Sequence, residues 1–119
     1  MSEIYAVKDA LDRIRSIEHM SNASLISKGG MFVMGDVPDN IHRDVFSAMC
    51  AIAQVAGQTI TSEIEERLDR IKILMDDSVL ILIGVSPKYI LAMIVNQKID
   101  EEMLEQEVRS LINNIENIM

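Results

Sequence analysis

Gly30 and Gly35 flank Met31-Phe32-Val33-Met34, the spacing at which a phosphate-cradling loop places its glycines. Such a loop also needs a lysine and a Ser or Thr after the second glycine, opening a helix, because the lysine neutralises phosphate charge. Asp36 and Val37 stand there instead, and the residues between the glycines are apolar and strand-like. The pair reads as the punctuation of a hairpin, and no nucleotide or other cofactor is expected. The only nucleophile and base worth pairing are Cys50 and His42. On one helix their separation amounts to about 12 Å, far beyond hydrogen-bond reach. Cys50 is expected to be a buried structural thiol, no catalytic residue is assigned, and the chain is not expected to be an enzyme. His19 and His42 lack a third ligand at metal spacing, so no metal site is expected. Glu63, Glu65 and Glu66 read as the solvated end of a helix, with Glu63 pairing to Arg67 if the helix runs that far.

These residues must be carried by elements that the apolar spacing outlines. Ile4, Val7, Leu11, Ile14 and Ile17 mark one face of a helix over about Glu3 to His19, stopped by Ser21-Asn22. Ala23 to Ile26 and Met31 to Met34 read as short strands around Ser27-Lys28-Gly29-Gly30, whose glycines supply the positive backbone angles of a tight turn. After a loop from Gly35 to Asn40, Asp39 or Asn40 is expected to cap a second helix. That helix carries Val45, Met49, Ile52, Val55 or Ala56, Ile60 and Ile64 along a broad apolar stripe. Ala48, Ala51, Ala53, Ala56 and Gly57 make it thin, which predicts close packing on a sheet on one side and on something else on another.

Leu68 to Met75 reads as a strand with Ile71, Ile73 and Met75 on one side and Arg70 and Lys72 on the other, with one face or edge near solvent. Asp76-Asp77 turns the chain into two near-continuous apolar strands, Val79 to Val85 and Tyr89 to Val95. The apolar run from Ser78 to Asn96 approaches the length of a membrane helix, about 20 residues, but Pro87 and Lys88 interrupt it and β-branched side chains fill both halves. Asp100 caps a last helix, Leu104 packs back on Ile99, and Leu104, Val108, Leu111, Ile115 and Ile118 form its apolar stripe. The order α-β-β-α-β-β-β-α, with short loops, predicts a five-stranded, mainly antiparallel sheet with helices on both faces, two of them on one face and the thin helix on the other.

Composition narrows the function. The 119 residues, read as one domain over 1–119, carry 19 acidic against 11 basic side chains, a formal charge of −8. Such a balance repels phosphate backbones and anionic headgroups, and at 3% aromatic the chain has few platforms for stacking bases. No nucleic-acid partner and no membrane insertion are expected. One cysteine cannot form an internal bridge, and no charged segment followed by an apolar one opens the sequence, so a cytoplasmic setting is expected.

Taken in order, "ASLISKGGMFVMG", "FSAMCAIAQVAGQTITSEI", "LDRIKILMD", "VLILIGV", "ILAMIVN" and the Leu104, Val108, Leu111 spacing resemble the roadblock/dynein light chain family over about residues 3 to 118. The resemblance implies a three-layer α/β/α sandwich, profilin-like in architecture, that pairs with itself. The middle helices of two protomers would pack together and the strand after that helix would join its mate into one sheet. The candidate interface residues are then Ala48, Ala51, Ile52, Val55, Ala56, Ile71 and Ile73. A thin helix followed by an edge strand suits a twofold interface on independent grounds. The resemblance also implies a non-catalytic platform for a Ras-like small GTPase. The alternatives are an adaptor subunit that pairs with another roadblock protein, and a small-molecule sensor; the sensor needs convergent polar groups in a cavity, which these apolar strands scarcely offer.

Overall fold

A computed structural model describes residues 2–118, with side-chain environments for residues 4–117. The elements are α1 (Ser2–Arg15), β1 (Met20–Ser27), β2 (Phe32–Gly35), α2 (Arg43–Glu63), β3 (Ile71–Leu74), β4 (Val79–Gly84), β5 (Tyr89–Val95) and α3 (Glu101–Ile118). The strands form one antiparallel sheet in the order β2-β1-β5-β4-β3, so β2 and β3 are its two edges. The sequence stretch from Ser78 to Asn96 forms β4 and β5, and no described helix is long and apolar enough to cross a membrane.

Strand alternation divides the core into two layers. Ala23, Leu25, Ile81, Ile83, Leu91 and Met93 face α1 and α3, where Val7, Leu11, Ile14, Leu104, Val108, Leu111 and Ile115 meet them. Their neighbours Ile26, Leu82, Ile90 and Ala92 face Cys50 and Ala51 of α2. Two helices therefore cover one face and the thin helix the other, as the pattern predicts. The side chain of Ile118, expected on the α3 stripe, lies outside the described residues. Asp100 accepts a bond from the Met103 N–H at 3.1 Å, and Ile99 and Leu104 are both buried in the same core, the cap and staple expected there.

Several boundaries move. The helix expected to reach His19 ends at Arg15, and β1 starts already at Met20, because His19 adopts φ 76 and turns the chain sharply. The expected cap at Asp39 or Asn40 is not formed: Asn40 takes φ 64, and His42 precedes the helix without a side-chain cap bond. Leu68 to Arg70 stay outside the β3 strand, which pairs with β4 only from Ile71. In the β1–β2 turn it is Gly30, not Gly29, that supplies the positive φ. A Cβ on Gly30 would stand 3.1 Å from the Ala48 Cα, so the turn also presses onto α2.

Candidate interaction surface

The residues with possible chemistry lie apart. Cys50 is buried between α2 and the sheet, and burial pushes its thiol up to about 11, which leaves almost no thiolate at neutral pH. His42 is exposed at the start of the same helix, and His19 is exposed in the α1–β1 turn. Among the described residues no three His, Cys, Asp or Glu side chains gather as metal ligands would. Glu63, Glu65 and Glu66 are exposed, α2 stops at Glu63, and Glu65 has φ 62, so Arg67 is not on the same helix.

The glycine pair holds a structural carboxylate. Gly35 has φ 107, and a Cβ there would meet the Ala23 carbonyl oxygen at 2.4 Å, so β2 closes on β1 only through a bare glycine. The next residue, Asp36, accepts bonds from the Ala23 N–H at 3.0 Å, the Asn22 amide at 3.1 Å and the Arg15 guanidinium at 3.1 Å. Where a phosphate loop would carry its lysine, this chain has an acid that braces β2 against β1 and α1. Its role was not legible, since Asn22 and Arg15 are brought to it only by tertiary structure.

What the fold does present is an apolar surface. The face of α2 that meets the sheet is formed by Ser47, Cys50, Ala51 and Gln54. The apolar stripe points the other way: Val45 is 55% exposed, Met49 57%, Ile52 60% and Ile60 62%, and Ala56 is exposed among them. No charged residue occurs on α2 between Asp44 and Glu63. Beside this face runs the free edge of the sheet. Gly57 lets α2 descend onto Ile71, whose Cδ1 lies 2.8 Å from where a Cβ would be. β3 then exposes Ile73 and Leu74, followed by Met75. Ile71 packs on the α2 side, while Lys72 on the opposite side pairs with Glu101 at 3.5 Å and Arg70 pairs with Glu105. The sidedness expected from Ile71, Ile73, Arg70 and Lys72 is thus the observed one.

Of the candidate interface residues, Ile52, Val55, Ala56 and Ile73 are exposed on this surface. Ala48 is half-buried beneath Gly30, and Ile71 is half-buried beneath Gly57. Ala51 does not belong with them: it is 5% exposed and packs into its own sheet with Ile26 and Ile90. Its place on the helix follows the inward face of Ser47, Cys50 and Gln54, one face that small size alone could not distinguish. A charge at Ala51 would disrupt the fold, not an assembly. Val45, Met49, Ile60 and Leu74 belong to the surface although they were not among the candidates; the first three were visible as the stripe, but not its outward direction.

An α/β/α sandwich with this strand order is the roadblock fold, and known structures bear that out. A Roadblock/LC7 domain from Streptomyces avermitilis superposes with a TM-score of 0.78 at 16% identity, covering 95% of this chain and 93% of that one. The gliding protein mglB from Thermus thermophilus gives 0.82 at 13% identity, covering 98% and 93%. A structure described as MglB with a tetrameric arrangement gives 0.82 at 12%, covering 100% and 94%. At these identities the likeness is one of fold. No protein-family model and no curated protein matches the sequence.

Proposed function

We propose that the protein is a non-catalytic, homodimeric regulator or scaffold of the roadblock type that binds a Ras-like small GTPase in the cytoplasm and modulates its nucleotide cycle. The observation that carries the reading is the uncharged apolar face of α2 lying beside the free edge of β3. An exposed apolar surface of this kind, on a chain otherwise rich in charge, marks a site of protein association. An unguarded edge strand adds backbone hydrogen bonds to it. The fold it shares with mglB, one structure of which is tetrameric, supports self-association. The implied partnership with a small GTPase comes from the family that the sequence resembles.

In this reading the dimer supplies a rigid platform and no catalytic group. It shifts the GTPase between nucleotide states only to the extent that it binds one state more tightly. Sedimentation at micromolar concentration is expected to give a stable dimer, and a clean monomer would overturn the interface. Immobilised dimer is expected to retain a small GTPase of the host in one of two preparations, loaded with GDP or with a non-hydrolysable GTP analogue. Retention of a second roadblock protein with no GTPase in either preparation would replace this function with that of an adaptor subunit.

A further inference from the structure

Buried polar atoms collect in the layer between α2 and the sheet. Among the described residues, three buried side-chain polar atoms meet no donor or acceptor of the chain: Ser24 Oγ, Ser47 Oγ and Gln54 Oε1. Ser47 and Gln54 stand on the inward face of α2, and strand alternation turns Ser24 toward the same helix, because its neighbours Ala23 and Leu25 belong to the core under α1 and α3. That other core holds none of the three. We infer that α2 is a detachable layer: it lifts from the sheet as a unit while the rest of the fold stays closed, and a second copy bound on its outward stripe holds it down. The holding rests on the self-pairing proposed above, whereas the lifting stands on the single chain.

Burial argues for it first. Of the 21 residues of α2 only Cys50 and Ala51 place buried apolar side chains in a core, whereas the shorter α1 gives Val7, Ala10, Leu11 and Ile14 to its own. Docking α2 therefore gains little apolar burial. It also strips water from three polar groups and returns no hydrogen bond for them, a cost that lifting the helix relieves. The Gln54 amide is wedged as well as unpaired: its Nε2 lies 3.0 Å from where a Cβ on Gly84 would stand. The helix itself adds no anchor. His42 makes no side-chain cap bond, no basic residue occupies the last turn, and Gly57 weakens the interior. Residues 37–42 and 64–70 on either side belong to no strand, so α2 can move without unzipping the sheet. An element so lightly buried lies at the low-stability end of a fold, and a partner that binds it only when docked shifts its population.

Cys50 reports the lifting, since it is the one cysteine of the chain and is buried beneath α2. Iodoacetamide labelling read by mass spectrometry, at submicromolar protein and in a urea series, is expected to run about a hundredfold or more faster than global unfolding of the same protein allows, with little dependence on low urea. A reporter in the other layer, Ala10→Cys in a Cys50→Ala background, is expected to label only at the rate that its own global unfolding sets. Equal protection of the two reporters, each measured against its own global stability, would overturn the inference. Gln54→Met and Ser47→Ala remove unpaired atoms from the layer, and each is expected to slow Cys50 labelling about tenfold. Unchanged or faster labelling in both would overturn the polar layer as the cause. Raising the protein concentration through the range where sedimentation gives a dimer is expected to slow labelling further. A dimer that labels as fast as the single chain would overturn the holding alone. A clean monomer at every concentration would overturn the self-pairing and the holding together, and the comparison with Ala10→Cys would still decide the lifting.

Discussion

The two edges of the sheet are built differently. At β2 the ladder to β1 slips by one residue, with Val33 as the extra residue between the Ile26–Phe32 and Leu25–Met34 pairs. Gly35 and the braced Asp36 then close the strand against β1, and Arg43 of α2 lies over the Phe32 ring at 4.6 Å. A bulged and covered edge offers a second strand no regular ladder. At β3 the pairing with β4 is regular from Ile71 to Leu74, and no bulge interrupts it. The ion pairs of Lys72 with Glu101 and of Arg70, just before the strand, with Glu105 lie on the α3 side, leaving the α2 side and the outer backbone open. Leu74 is 76% exposed at that edge. The contrast fits the self-association proposed above: one edge is closed with glycine, bulge and carboxylate, the other is left regular and apolar.

A charge at each edge breaks the comparison most directly. Ile73→Lys is expected to weaken self-association by about a hundredfold or more, because it buries an unpaired ammonium in the proposed interface. Val33→Lys on β2 is expected to leave it unchanged. Sedimentation of both variants across a concentration series checks the pair, and equal effects would mean that the guarded edge also assembles. Gly35→Ala acts in the opposite sense, on the fold of the single chain and not on assembly. A methyl group 2.4 Å from the Ala23 carbonyl oxygen at φ 107 is expected to cost about 2–4 kcal/mol. Urea unfolding at low protein concentration measures it, and a loss below half a kilocalorie would show that the β2 edge relaxes easily.

This difference explains what the sequence could tell. The element order, the layers and the Asp100 cap were legible because periodicity and capping chemistry are local. The end of α1 was not, since a left-handed His19 has no signal in its neighbours. Neither was the cap of α2, because Asn40 spends its conformational freedom in the loop before His42. The surface itself was half legible: the stripe was plain, but the rule that the more apolar face turns inward fails on α2. Ser47 and Gln54 are buried against the sheet while Ile52 and Ile60 stand in solvent. An outward apolar face is the pattern of a core completed by a second molecule, and one chain's periodicity cannot say so.

The brace at β2 gives a smaller effect. Asp36→Ala removes the acceptor of the Ala23 N–H, the Asn22 amide and Arg15, and is expected to cost about 1–2 kcal/mol in stability. Hydrogen exchange is expected to accelerate in β2 and not in β3. Protection lost equally at both strands would show that the two edges open together, as one unit and not as separate ones.

Arg15 continues the brace into α1, where it also donates to Asp12 at 3.1 Å, and Lys8 donates to the same carboxylate at 3.1 Å. The hydrogen bond from Lys8 comes first, and with the charge of Lys8 and the bond and charge of Arg15 it holds the Asp12 carboxyl below its ordinary value, against an opposing effect of burial second in size only to the Lys8 bond. A folded-state value below the unfolded one means stabilisation that is present above the unfolded value of about 3.9 and is lost as pH falls through the folded one. Because these side chains are largely solvated, the effect is small and screened by salt. Lys8→Gln is therefore expected to be slightly less stable than the parent chain at pH 7 in low salt, and the gap is expected to close below pH 4. Thermal unfolding of both proteins from pH 2 to 7 checks it. A gap that persists to pH 2 would mean that Lys8 acts through the packing of its aliphatic stem, and that the chain from α1 to the closed edge is held by Arg15 and Asp36 without electrostatic help from Lys8.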